Sequence, residues 1–440
     1  MHIGSPTGWN NSGPDASRQP IGRRRRSSPS VRGPPRTAND CHRNVNPRTG
    51  PVSRNSSRTR RSACPNECPV WHSDRQPAIV KHGTKSAPQI RQRAFRGSFT
   101  VDIDIILEPD LTPEQITKLG QAAEGYGIRA IWTSNFFAHW DPFISLIPLA
   151  QSTSRILMGP LAVSPFEMHP LKIANGLLSL NEMSNGRAQI AIGAGEGNLD
   201  AMDLAKPKKI VLAIREALEI VIAAAHGNLA TGYQGEIFKV NHPCAYTWLT
   251  ATPPRIYMTA YRYMMMRMGG RIADGVFIGC TPPDIMAPAM ENVRTGIGRR
   301  AAEPDDFRVN TFWAWHIKKD KAEAYRESRR ELAWRGRKLD PELLVNWLSA
   351  EEAQFVQDNF QAYVDAYFDR SGIVKGVSDD INDRLMHGMT STGGLEDLDR
   401  EVERFKLFQK NGLTEIAVRL HDDPMDALKI IGEQVVPALR

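Results

Sequence analysis

Gly193-Ala-Gly-Glu-Gly197 sets one carboxylate, Glu196, among three glycines. Glycines let a flat ligand approach backbone closely, and the carboxylate then points into the same space, although tight strand-to-helix turns use glycine for geometry alone. Asn135-Phe-Phe-Ala-His-Trp-Asp141 combines a proton-transferring imidazole, His139, with rings, Trp140 among them, that could wall a planar molecule, or it simply packs over neighbouring structure. Tyr261-Arg262-Tyr263 stands where a helix starts, a place where backbone N–H groups and a guanidinium hold phosphate, unless Arg262 is an ordinary surface charge. Glu108, Ser164, Thr281, His316 and His421 complete the candidates. Met264, Met265, Met266 and Met268 read as packing, and Cys244 and Cys280 as structural. Cys64, Cys68 and His72 supply at most three zinc ligands with no fourth fixed by spacing, so no metal is expected.

These residues share one kind of position in an alternating chain. Val101 to Leu107 alternates apolar and acidic residues, as a strand does, and Thr112-Pro-Glu-Gln115 then opens a helix with an N-cap, a proline at the first helical position and a capping-box glutamine. Further strands are expected at 129–134, 155–163, 187–194, 255–260, 274–279, 308–317 and 415–420, with helices at 142–152, 169–183, from Val211 to Gly227, and at 264–271. Glu236 to Val240, with Gly232 and Gly235, reads as a surface hairpin before the fifth strand. Eight strands alternating with helices predict a closed (β/α)8 TIM barrel, with an excursion of about a hundred residues between strands seven and eight. That insertion is helical where Phe355, Phe360, Tyr363 and Tyr367 share a face, and insertions there commonly cover the barrel mouth. The first strand-to-helix turn, Glu108 to Pro113, has no glycine, which argues against a dinucleotide-binding open sheet. In a barrel the reactive groups gather just after the strands' C-terminal ends, where Glu108, Asn135 with His139 and Trp140, Ser164, Glu196, Tyr261 with Arg262, Thr281, His316 and His421 are placed.

Charge divides the 440 residues sharply. The net +7 hides +15 over residues 1–98 and −8 over 99–440. The first part, with Arg23 to Arg26 in a row and little apolar patterning, reads as a disordered basic arm. It is a polyanion-binding tail, a targeting or linker segment, or an upstream extension that is no part of the natural protein. The last reading is preferred, because composition changes abruptly near residue 98 and no methionine lies between Met1 and Met158. With only Trp9, Trp71 and Phe95 interleaved, nucleic acid is not the expected partner. The longest apolar-looking stretch, Val211 to Ala225, carries Arg215, Glu216 and Glu219, so no membrane span is expected. No apolar run follows the arginines as a secretory signal requires, and the chain reads as cytoplasmic.

Three motifs in order resemble the luciferase-like monooxygenase family: Gly159-Pro-Leu-Ala-Val-Ser-Pro165 with His169-Pro170, Asn181 through Glu196, and Gly269-Gly-Arg-Ile-Ala-Asp-Gly-Val276. Ile256-Tyr-Met-Thr-Ala260 leading into Ile272-Ala-Asp-Gly275 is most similar to its deazaflavin-dependent branch, which includes methylenetetrahydromethanopterin reductase. The resemblance implies a homodimeric barrel and a non-proline cis peptide at Leu161–Ala162. It implies Glu196 as a proton-handling group and Trp140 as an active-site tryptophan, while His139 is a proton-donor candidate from its own loop rather than from the resemblance. The expected coenzyme contacts are Glu108, Leu161 and Ala162, which the resemblance implies, together with Asn135, Val163, Ser164, Gly195, Asn198, Ala260, Tyr261, Arg262 and Tyr263. Two places depart from the family pattern. Tyr261-Arg262-Tyr263 replaces a Gly-Gly-Pro turn after strand five, and Asn135-Phe136 replaces an Asp-His pair after strand two. The expected activity is hydride transfer between coenzyme F420 and a small organic substrate. The alternatives are an FMN-dependent monooxygenase using reduced flavin and oxygen, and a polyanion-binding protein acting through the arm.

Overall fold

A computed structural model describes residues 100–205, 208–335 and 339–440, and of Glu196 and Gly197 the backbone only. The basic arm and its candidate ligands Cys64, Cys68 and His72 lie outside the described residues. Strand β1 (Asp102–Leu107) leads to helix α1 (Pro113–Tyr126), whose N-cap Thr112 and Gln115 exchange both capping-box hydrogen bonds. The alternation continues through β2 (Ala130–Ser134), α2 (Ile147–Ser152), β3 (Leu157–Val163), α3 (Pro170–Met183) and β4 (Gln189–Ile192). Short helix α4 (Glu196–Ala201) and long helix α5 (Ile210–Ala225) follow. The expected hairpin is present as antiparallel β5 (Tyr233–Gln234) and β6 (Lys239–Val240). Then come β7 (Arg255–Ala260), α6 (Tyr263–Ile272), β8 (Gly275–Ile278), α7 (Ala287–Ile297), β9 (Arg308–Ile317), α8 (Lys321–Glu331), β10 (Thr390–Gly393) and β11 (Glu415–Arg419).

Eight of these strands close a parallel barrel in the order β1-β2-β3-β4-β7-β8-β9-β11, with β11 returning to β1. Asp102 pairs with Glu415 and Ile106 with Arg419, so the inward residues of β1 meet those of β11 in layers. Of the two acidic residues of β1, Asp104 is buried while Asp102 stays partly exposed at the start of the strand. Asp104 lies inside, held by Arg129 Nε and Nη2, by Trp132 Nε1 at 2.9 Å and by Asn310 Nδ2 at 2.8 Å. Glu415 takes Tyr257 Oη at 2.9 Å and Arg308 Nε at 2.6 Å in the same layer. Burial raises the Asp104 pKa, helped by neighbouring Glu415 and opposed by Arg129. Above this polar layer Trp132, Tyr257 and Phe277 meet edge to face at centroid separations of 5.0–5.5 Å and fill the barrel.

Three expectations are corrected. Strand four is shorter than 187–194, because Arg187 turns its guanidinium to the carbonyls of Ala150, Thr153, Ile156 and Ser184 and the Gly193-Ala-Gly195 run opens a loop. The insertion is not purely helical: β10 pairs with the end of β9 from Thr390↔Ala314 to Gly393↔Ile317. Nor do its aromatic residues share one helix, since Asn359 separates Ala350–Asp358 from Phe360–Phe368, leaving Phe355 exposed while Tyr363 is buried. Leu344, Val356, Tyr363, Leu385 and Met386 give the insertion its own apolar core.

Candidate active site at the barrel mouth

On the side of β2, β3 and β4 the rim is organised around a carboxylate that pattern reading passed over. After β3, Ser164 Oγ donates to Ala194 O at 2.8 Å, tying this loop to the one after β4, and accepts from Phe166 N at 3.2 Å. The turn brings Glu167 between two amides: Asn135 Nδ2 and Asn198 Nδ2 each donate to Glu167 Oε2 at 3.0 Å. Asn135 Nδ2 also donates to Ala162 O at 3.2 Å. Gly195 holds φ at 68°, and a Cβ on it would collide with Glu167 Oε1 and Ser164, so only glycine fits between these loops. The Leu161–Ala162 peptide bond is cis, as the resemblance implies, and the pairing register of β3 on β4 shifts between Leu161 and Val163. Asn135, Ala162, Ser164, Gly195 and Asn198 are thus brought together, with Leu161 and Val163 flanking them in β3. The signal for Glu167 was available: Ser164-Pro-Phe-Glu167 has capping-box spacing.

Across β1, β9 and β11 the rim carries charge. Glu108 takes Arg419 Nε at 2.7 Å and Nη2 at 2.6 Å, a bidentate pair, and His421 Nδ1 lies 2.7 Å from its Oε1. Burial alone would raise the Glu108 pKa, but Arg419 and His421 hold it well below the carboxylate range. Arg335 from the insertion donates to His421 Nε2 at 3.0 Å, so the His421 proton sits on Nδ1 and goes to Glu108. His421 stacks on His316 at 4.7 Å, and His316 Nδ1 lies 2.7 Å from Glu327. Arg335 and Arg419 both lie 5.5 Å from the Phe312 ring, so the insertion covers this half of the mouth. Glu108, an expected coenzyme contact, pairs with Arg419 and His421.

Between the two halves, after β7, Ala260 is buried while Tyr261, Arg262 and Tyr263 are exposed. Helix α6 begins there without a side-chain cap, leaving its first N–H groups to the rim. His139 and Trp140 are exposed on the loop after β2, with the His139 ring 5.4 Å from Phe136. No contact among the described residues joins them to the Glu167 cluster. Glu196 is the first residue of α4, and its side chain lies outside the described residues. Among the described residues no group of three or more His, Cys, Asp or Glu could hold a metal ion, and no helix is long and apolar enough to cross a membrane.

A (β/α)8 barrel whose amides, carboxylates, rings and open helix N-terminus collect at the C-terminal ends of its strands is the architecture of a barrel enzyme. Residues 98–415 match the model of the luciferase-like monooxygenases, and the chain belongs to that family. It is 26% identical over 334 residues to the 5,10-methylenetetrahydromethanopterin reductase of Archaeoglobus fulgidus, covering 76% of this chain and 98% of that protein. It is 27% identical over 212 residues to the F420-dependent glucose-6-phosphate dehydrogenase of Nakamurella multipartita, 44% of this chain and 61% of that one. The solved coenzyme F420 dependent tetrahydromethanopterin reductase of Methanopyrus kandleri shares the fold with a TM-score of 0.66 at 23% identity, covering 77% of this chain and 99% of that one.

Proposed function

We propose that this oxidoreductase transfers a hydride between coenzyme F420 and a small organic substrate, as a cytoplasmic homodimer whose working part is residues 99–440. The observation that carries the reading is the convergence of Asn135, Ala162, Ser164, Gly195 and Asn198 on one rim, with the uncapped start of α6 on the same mouth. The named relatives use F420 or reduce a pterin substrate, which supports the deazaflavin reading. The residues fit such a group: Gly195 lets the loops after β3 and β4 close on each other so that Glu167, Asn135 and Asn198 form one polar edge, and Tyr261-Arg262-Tyr263 with the first N–H groups of α6 suits a phosphate tail.

When bound, the deazaflavin supplies a two-electron hydride carrier, and the protein supplies position and electrostatics. Leu161, Ala162 and Val163 would hold the ring along β3. Asn135 would meet its polar rim, and Tyr261 and Trp140 would cover apolar surface and exclude water. Glu196 or His139 exchanges the proton that must accompany hydride transfer to or from a substrate oxygen or nitrogen. Glu108 stays ionised and fixes Arg419 on the rim across β1 and β11.

The test is anaerobic turnover, followed through the visible absorbance of the oxidised deazaflavin with a panel of alcohols, sugar phosphates and reduced pterins. Glu196→Gln is expected to lower kcat about a hundredfold, the usual size of a lost proton-transfer group, while coenzyme affinity changes little. Turnover that requires oxygen and reduced FMN instead would contradict the proposal.

A further inference from the structure

We propose that Glu167 is a positioning residue that gives the β2–β4 rim a hydrogen-bond-accepting edge, selecting ring systems that present an imide N–H. Asn135 spends both amide hydrogens inward, on Ala162 O at 3.2 Å and Glu167 Oε2 at 3.0 Å. Neither acceptor can donate, so turning the amide over would set its oxygen against two other oxygens. Asn135 is only partly buried, and among the described residues no donor reaches its Oδ1. That oxygen is left to accept from whatever fills the mouth. Asn198 Nδ2, 3.0 Å from the same Glu167 oxygen, holds the carboxylate from the β4 side, and Oε1 is buried against Gly195 with no partner among the described residues. A carboxylate is needed here because it accepts at every lone pair, whereas a glutamine could offer either end and leave the polarity of Asn135 unset.

The inference rests on the rim being a ring-binding site, and names what that rim reads. Oxidised deazaflavins and flavins both carry an imide N–H between two carbonyls, and an acceptor edge matches that donor. Full-length protein is titrated with coenzyme F420, FMN and the imide N-methyl derivative of each, followed by tryptophan fluorescence. For whichever ring binds, N-methylation is expected to weaken binding about tenfold or more, the size of one unmade buried hydrogen bond. Glu167→Gln and Asn135→Ala should each reduce that discrimination, read as the ratio of the two affinities within each variant, to within about threefold, with an unchanged circular dichroism spectrum showing the barrel folded. Equal wild-type binding of N–H and N-methyl forms, discrimination that survives both substitutions, or binding of neither ring would overturn the proposal. Discrimination seen with FMN alone would uphold the accepting edge while removing the deazaflavin reading.

Discussion

His316 stacks on His421 in the upper layer of the barrel, and the titration of His316 differs from that of an exposed imidazole. Burial pushes the His316 pKa down to about 4, helped by the charge His421 would carry and opposed by the hydrogen bond to Glu327. Glu327, which burial alone would raise, is held down to about 2 by His316, His421 and Lys318, so it is ionised and His316 Nδ1–H donates to it. The folded chain refuses a proton on His316 that the unfolded chain accepts below 6.5. Its contribution to stability is therefore whole above pH 6.5 and is lost as pH falls toward 4. Glu327 acts in the same direction lower down, between 4.5 and about 2. His316→Gln keeps a donor for Glu327 without a titrating group. Urea unfolding at pH 7, 5.5 and 4.5 should show a flatter loss of stability for this variant, by up to one proton, or about 1.4 kcal/mol per pH unit. An unchanged slope would mean that His316 does not set the acid limb.

The elements of the barrel were legible because period and punctuation agreed with the final structure: Thr112-Pro113 and Gln115 cap α1, and β9 runs over the expected residues. Strand β10 was not legible, since Thr390-Ser-Thr-Gly393 has no apolar period and is made a strand by its partner β9. The site divides in the same way. Positions after the strands were readable from topology alone, so Asn135, Ser164 and the glycine turn that holds Gly195 could be named. The hydrogen bonds that join them through Glu167, and the commitment of Glu108 to Arg419 and His421, depend on long-range contacts that one sequence does not display. Helix α5 offers a test at this scale. Its buried Glu216 accepts from the backbone N–H of Glu236 at 2.8 Å and of Ile237 and Phe238 at 2.9 Å, pinning the hairpin to the barrel wall. Glu216→Ala should speed amide exchange at these three residues by about tenfold or more while leaving β7 protected. Uniform acceleration across the barrel would show instead that the hairpin and barrel open together.

At the scale of the whole molecule, the residues from 99 onward carry −8 and form the barrel, and the +15 of residues 1–98 is set apart from it in sequence. The hydride-transfer reading assigns coenzyme binding to the barrel alone, so salt should affect it mildly. A polyanion-binding reading would make salt dependence steep and confine it to the arm. The most direct measurement is equilibrium binding of coenzyme F420 and of FMN to the full-length protein and to residues 99–440, followed by quenching of tryptophan fluorescence at low and physiological salt. The account predicts deazaflavin binding of about micromolar affinity, alike for both proteins and at least about tenfold tighter than for FMN. Preference for FMN, or binding that vanishes with residues 1–98, would contradict it.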